Sequence, residues 1–247
     1  MFENLAPEQR IELAKAKMEK VLDHFLYVLE LHANNKFVVF SPTLSKQIPV
    51  SFAANAFNVF QRSMHQMEIV RLCALWDSAD RDKENIPTVV NLVDNDTIIE
   101  MLAEETRDHR VRQQINTLNE SPDQVEVASA SIEFHFAHQQ ASNAKVELKK
   151  AIAAARIVLA SSRLASIMNL RDKHLAHSLI ETRREKRAPV QPMASGDGKA
   201  LLDESIPIIE ALFCWVNGKS FSIENSQKID HDNAQALWAG CKFTVIR

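Results

Sequence analysis

The chain has 247 residues, 46% hydrophobic and 25% charged, with a formal net charge of −3. That balance suits a globular chain with room for one large domain or two small ones. It excludes a broadly basic nucleic-acid coat, so any contact with RNA must come from a local patch.

Glycine is scarce, at 4, and there is 1 Tyr. Long runs of Ala, Leu, Glu, Gln and Lys lose little entropy in a helix, so the predicted fold is all-α. Pro7 suits a first helical turn, and apolar residues recur at helical spacing over 7–33, from Ile11 and Leu13 to Phe25 and Leu29. Residues 34–49 read as a loop broken by Ser41-Pro42 and Ile48-Pro49. Ser51 caps a second helix over 51–76, in which Phe60, Met64 and Met67 are expected in the core. Residues 77–84 are polar and read as a loop. Ile86-Pro87-Thr88 opens a short helix, and Asp94-Asn95-Asp96 caps a charged one over 97–118, expected to be a solvated surface helix. Ser121-Pro122 with Gln124 is a capping-box start. From 122 to 186 the helical pattern is almost continuous, which is too long for one helix. A break is expected near Ser142-Asn143, or just before Asn169. Residues 187–205, with Pro189, Pro192, Gly196 and Gly198, read as a flexible loop. An apolar helix follows over 206–216, ended by Asn217-Gly218, and a last short helix over 234–239. The β-like runs are Phe37-Val38-Val39-Phe40 and Phe243-Thr244-Val245-Ile246. No internal repeat is found.

Cys73, Cys214 and Cys241 lie in apolar helical contexts and form neither a zinc pattern nor a disulfide framework. The start, Met1-Phe2-Glu3-Asn4, lacks a basic region followed by an apolar block. No run of about eighteen apolar residues occurs. A reducing cytoplasm, without membrane contact, is the expected location.

The densest chemistry lies in Arg171-Asp172-Lys173-His174-Leu175-Ala176-His177-Ser178. An arginine can hold a phosphate by a charge-assisted fork. A histidine six residues on can move a proton near neutral pH. On an ideal helix Arg171, His174 and Ser178 share a stripe, while Arg171 and His177 stand about 120° apart with a rise of about 9 Å. A second copy of the helix facing the first would ease that divergence. The chemistry would be attack of a ribose 2′-hydroxyl on its own 3′-phosphate. His177 would act as base or acid, and Arg171 would stabilise the charge building on phosphorus oxygens. Asp172 would orient an imidazole or Arg171 itself. The nucleophile is inside the substrate, so no metal or other cofactor is needed. Taken alone, the same residues also fit a solvated helix face, or a structural Arg171–carboxylate pair with His177 in the core.

Leu-Arg-Asp-Lys-His-Leu-Ala-His-Ser resembles the signature of the HEPN superfamily. Arg171, the adjacent Asp172 and His177 fall at its three places, with five residues between Arg171 and His177. The form also resembles the U-type abortive-infection (Abi) branch of phage defence. Arg71-Leu72-Cys73-Ala74-Leu75-Trp76-Asp77 followed by Ile86-Pro87-Thr88, and the apolar run from Ile206-Pro207 through Val216-Asn217, resemble further parts of that branch. The likeness spans about residues 50–220. It implies one all-α, HEPN-like antiparallel bundle over 1–247, with the helix at 7–33 and the tail at 219–247 as extensions. It also implies a symmetric homodimer and metal-independent RNA cleavage in an abortive-infection or toxin–antitoxin setting, where an antitoxin protein is a candidate partner. His174 and Ser178 lie outside the core motif, as auxiliary candidates.

The basic run Arg183-Arg184-Glu185-Lys186-Arg187 is an RNA-binding candidate, although basic residues also suit a helix C-terminus. His135 and His138 near Glu133, and Glu104-Glu105 with Asp108-His109, resemble metal ligands weakly; surface roles fit them better, and no metal site is expected. The alternative function is a non-catalytic HEPN module binding RNA or protein. A third reading is a structural helical partner in a defence complex.

Overall fold

The computed structural model describes the backbone of residues 1–120 and 127–245, and the side chains of 1–108 and 139–245. Among these the secondary structure is nine α-helices and one π-helical turn, with no strand. The all-α expectation is met. Phe37 and Val38 end the first helix, and the run from Phe243 to Val245 is irregular; Ser121-Pro122 with Gln124, and Ile246, lie outside the described residues.

Helix α1 (Pro7–Val38) outlasts the predicted end at residue 33 by five residues, because Asn35 and Val38 turn into the core. Pro42–Ser45 forms one turn, α2, capped by Ser41 inside the predicted loop. Helix α3 (Phe52–Leu75) starts where Ser51 Oγ accepts from the Ala54 N–H. Its second half buries Ile69, Leu72, Cys73 and Leu75. Another face of the helix differs from expectation: Phe60 and Met67 are 41% and 43% exposed, and Phe52 at its start is 94% exposed. They keep helical spacing, but their stripe is not core.

Asn85 caps α4 (Ile86–Val93), with its Oδ1 accepting from the Thr88 N–H at 3.0 Å. Helix α5 (Asp96–Glu120) follows, and is more than a solvated helix, since Ile98, Ile99, Leu102 and Ala103 are buried. Helix α6 (Val127–Leu159) runs through Ser142-Asn143 without a break. The chain turns instead at Ala160-Ser161, where Ser161 caps α7 (Ser162–Leu170). Helix α8 (Asp197–Asn217) begins nine residues earlier than predicted, with Pro207 inside it, so the loop signal at Gly196 marks only its start. Helix α9 (Ile223–Trp238), capped by Ser222, is likewise longer than its prediction. Cys241 lies beyond it, outside any helix, and all three cysteines are free. No single helix is long and apolar enough to cross a membrane.

The chain divides into two compact units. The first holds Met1–Lys20, Ser78–Ile157 and Pro207–Phe221. Here Arg10 satisfies the carbonyls at the end of α4, with Nε donating to Leu92 O at 3.0 Å and Nη2 to Asn91 O at 2.9 Å. Lys145–Glu100 and Lys149–Asp96 link α6 to α5. Such exposed pairs stabilise little, and the buried faces of α4 and α5 carry the packing.

The second unit holds Val21–Asp77, Val158–Ile206 and Ser222–Arg247. Phe25, Leu72, Leu75, Trp76 and Ile167 are buried in it, and Val38, Leu44 and Phe57 form a cluster of their own. The Trp76 indole N–H donates to Ser205 Oγ at 2.9 Å, which satisfies a buried donor. A second polar group is also enclosed: His32 Nδ1 lies 2.7 Å from Glu68 Oε1, and the Asn35 amide donates to Glu68 Oε2 at 2.5 Å. The motif belongs to this unit.

Candidate active site

Helix α7 delivers the motif and then loosens. From Arg171 to Leu175 the backbone forms a π turn, closed by the Ala176 N–H donating to Arg171 O at 2.8 Å. The turn packs against α3 as well as α7. Regular helix ends there, so the predicted helical stripe of Arg171, His174 and Ser178 does not exist. His177 and Ser178 lie past the turn, exposed, and His174 is exposed within it. Single π turns are frequent at functional sites, because the wider ring redirects the side chains that follow.

Arg171 is held where the turn meets α3, and its side chain is 17% exposed. Its Nε and Nη2 both donate to Asp172 Oδ1, at 2.8 and 2.6 Å. Asp77, next to the cap of α3, stands 3.9 Å away. Burial pulls the guanidinium pKa down, but the Asp172 hydrogen bond and the charges of Asp172, Cys73 and Asp77 outweigh it, so the net shift is up. Arg171 is a fixed cation. Of the two roles open to Asp172, it takes the grip on Arg171; no hydrogen bond links it to an imidazole among the described residues. Beneath the pair, burial pushes the Cys73 thiol up to about 12, which makes it packing rather than a nucleophile.

A clasp behind the motif had no place among the sequence candidates. Glu185 accepts from the Lys173 ammonium at 2.9 and 3.1 Å, from the Asn169 amide at 3.0 Å and from the Thr182 N–H at 2.9 Å. These hold its carboxyl down to about 2, the Lys173 hydrogen bond contributing most. In return the Glu185 N–H donates to Thr182 Oγ1 at 3.1 Å, and that hydroxyl donates to Asn169 Oδ1 at 2.5 Å. Thr182-Arg183-Arg184-Glu185 is thus a capping box in form. That pattern was visible in the sequence; its use to tie a loop back onto α7 was not. Asn169 and Thr182 are both buried.

The clasp also corrects the reading of the basic run. Residues 183–187 form a turn, not a helix C-terminus, so the dipole reading does not apply. Glu185 points inward, while Arg183, Arg184, Lys186 and Arg187 are exposed. Arg184 Nε comes within 3.9 Å of Asp172 Oδ2, which sets one of these cations beside the motif.

Among the described residues no group of three or more His, Cys, Asp or Glu side chains is placed to hold a metal ion. Glu105 pairs with Lys15, and Asp108 with Arg107. The side chains of His109, Glu133, His135 and His138 lie outside the described residues.

The arrangement offers a fixed guanidinium, two solvent-facing imidazoles and a flanking set of exposed cations. That set fits a phosphate with a proton to be moved beside it. The HEPN family model for AbiU2 matches residues 14–237. No curated protein and no solved structure matches the chain.

Proposed function

Because the chain belongs to the AbiU2 family of HEPN domains, an abortive-infection family, we propose that it cleaves RNA as a defence effector. An imidazole, His177, takes the proton from a ribose 2′-hydroxyl. The 2′-oxygen attacks the adjacent phosphorus, the bond to the 5′-oxygen breaks, and the leaving oxygen takes a proton from a second imidazole. The products are a 2′,3′-cyclic phosphate and a 5′-hydroxyl. Arg171 stabilises the charge gathering on the non-bridging oxygens.

One observation carries this reading. Asp172 holds Nε and Nη2 of Arg171, while Nη1 has no partner among the described residues. The guanidinium is therefore preorganised by one edge and free to take a phosphate with another, beside imidazoles that stand open to solvent. His174 and Ser178 are auxiliary candidates, and Arg183, Arg184, Lys186 and Arg187 extend the phosphate path. No hydrogen bond joins Arg171 to His177 within the chain, which favours a homodimer whose two motifs share one cleft. An antitoxin protein that covers this cleft suits the same surface.

The test is RNA cleavage by purified protein in EDTA. Wild type should cut and leave cyclic phosphate ends, while Arg171→Ala and His177→Ala should each lose about a thousandfold or more, with unchanged helicity. Full activity in either variant would remove the assignment, and strict dependence on added magnesium would remove the mechanism. Light scattering should report a dimer. An inert wild-type dimer that still binds RNA would favour the non-catalytic module.

A further inference from the structure

We propose that the cleft beside the π turn is a nucleobase pocket, so that the RNA this protein takes is unpaired. The inference rests on the RNA-cleavage reading and adds the substrate class.

The cleft has a volume of about 490 Å³ and is lined by the turn residues Lys173 and His174, by His65 of α3, and by the loop that precedes α8. That volume lies within the ~300–1,000 Å³ span of ligand clefts. Its charges are already spent. The Lys173 ammonium is taken by both oxygens of Glu185. Asn169 is used at both ends, its amide by Glu185 and its carbonyl by Thr182. A phosphate would gain little here, where the nearest cation is already neutralised. Arg171 and the exposed Arg184 offer it more. What the cleft does present is apolar surface from Leu170, Val190, Pro192 and Met193, together with imidazole. The thioether of Met193 suits the face of an aromatic ring. A neutral, flat heteroaromatic group fits this lining, and RNA carries one beside every phosphate.

His65 supplies the polar contact. Its Nδ1 is buried without a hydrogen-bond partner, so Nε2 is the nitrogen the ring has to offer. A buried nitrogen without a partner costs less as a bare lone pair than as an unpaired N–H. The proton therefore sits on Nε2, and the ring meets the cleft as a donor. Every nucleobase edge carries an acceptor for it. Arg171 and His174 belong to the same five-residue π turn, and His174 lines the cleft. A phosphate on Arg171 therefore puts its own nucleotide within reach of the cleft. A base inside a duplex cannot enter such a pocket, whereas a splayed single-stranded base can.

Fluorescence anisotropy with 2′-O-methyl oligoribonucleotides, which lack the attacking hydroxyl, tests this apart from cleavage. Wild type should bind a mixed-sequence single strand about tenfold more tightly than its duplex or an abasic strand of equal charge. His65→Ala and Met193→Ala should each erase most of that preference, and His65→Gln, which keeps a donor, should restore it. Should His65→Ala lose helicity, Met193→Ala alone carries the test, since Met193 sits in a loop. Equal affinity for all three strands, or an unchanged preference in Met193→Ala, would overturn the pocket. Base preference without cleavage of natural RNA would leave the pocket and remove the nuclease reading; cleavage without base preference would do the reverse.

Discussion

Two polar clusters of the second unit use nearly the same side chains for opposite ends. Around Glu68, an imidazole and an amide meet a carboxylate in the core, with His32, Asn35 and Glu68 all less than a tenth exposed. Around Asp172, a carboxylate meets a guanidinium at the edge of a helix, and the imidazoles of His174 and His177 stand in solvent. The first cluster uses its imidazole on an internal partner and has none left for a substrate. The second binds only one edge of Arg171. The lesson is that residue type does not mark a site: access and unspent hydrogen-bonding capacity do.

Substitutions should separate the two. The largest effect on stability should come from Glu68→Ala, which takes the acceptor from a buried His32 N–H and from one of the two Asn35 amide N–H groups, the amide keeping its bond to Met64 O. Each such donor costs about 1–3 kcal/mol, so thermal unfolding should fall by several degrees or more. His177→Ala, at an exposed position, should stay within about 0.5 kcal/mol of wild type. Comparable losses in the two variants would break the distinction between them.

Asp172→Asn sharpens the comparison within the site. The amide keeps the shape but removes the charge that grips Arg171. Cleavage should fall about tenfold, equivalent to about 1.4 kcal/mol, with helicity unchanged. Steady-state rates against RNA concentration would measure it, and an unchanged rate would make the grip incidental.

The smallest effect concerns pH. The Glu185 carboxyl drops from 4.5 to about 2 on folding, chiefly through Lys173. A carboxylate lowered in this way contributes stability that is whole above its unfolded value and is lost as pH falls through its folded one. The clasp should therefore hold from neutrality to about pH 4.5, and weaken progressively toward pH 2. NMR titration of the Glu185 carboxyl carbon would show this, and a midpoint near 4.5 would mean that Lys173 and Asn169 do not hold it.

Local signals were legible in proportion to how local their physics is. Ser51 caps its helix as expected because a cap needs only its own turn. The motif residues could be named because their types and order resemble the HEPN signature. The break between α6 and α7 was misplaced because Ser142-Asn143, polar and exposed, is tolerated on a helix face, whereas Ser161 can cap the next helix. The start of α8 was missed because proline and glycine upstream of it read as a longer loop. The stripe of Phe60 and Met67 has helical period, but period alone cannot say whether anything covers it.

Composition, period and capping residues determined by themselves that this chain is all-α, and which short stretch holds an arginine, a carboxylate and two imidazoles. Only the tertiary structure decided that this stretch leaves the α-helix in a π turn, that Asp172 grips Arg171 rather than an imidazole, and that Glu185 leaves the basic run to clasp Asn169, Lys173 and Thr182. The reason is the range of the forces. Backbone hydrogen bonding and helical period act over a few residues. A carboxylate finds its partner only after packing has brought distant segments of chain within about 3 Å of one another.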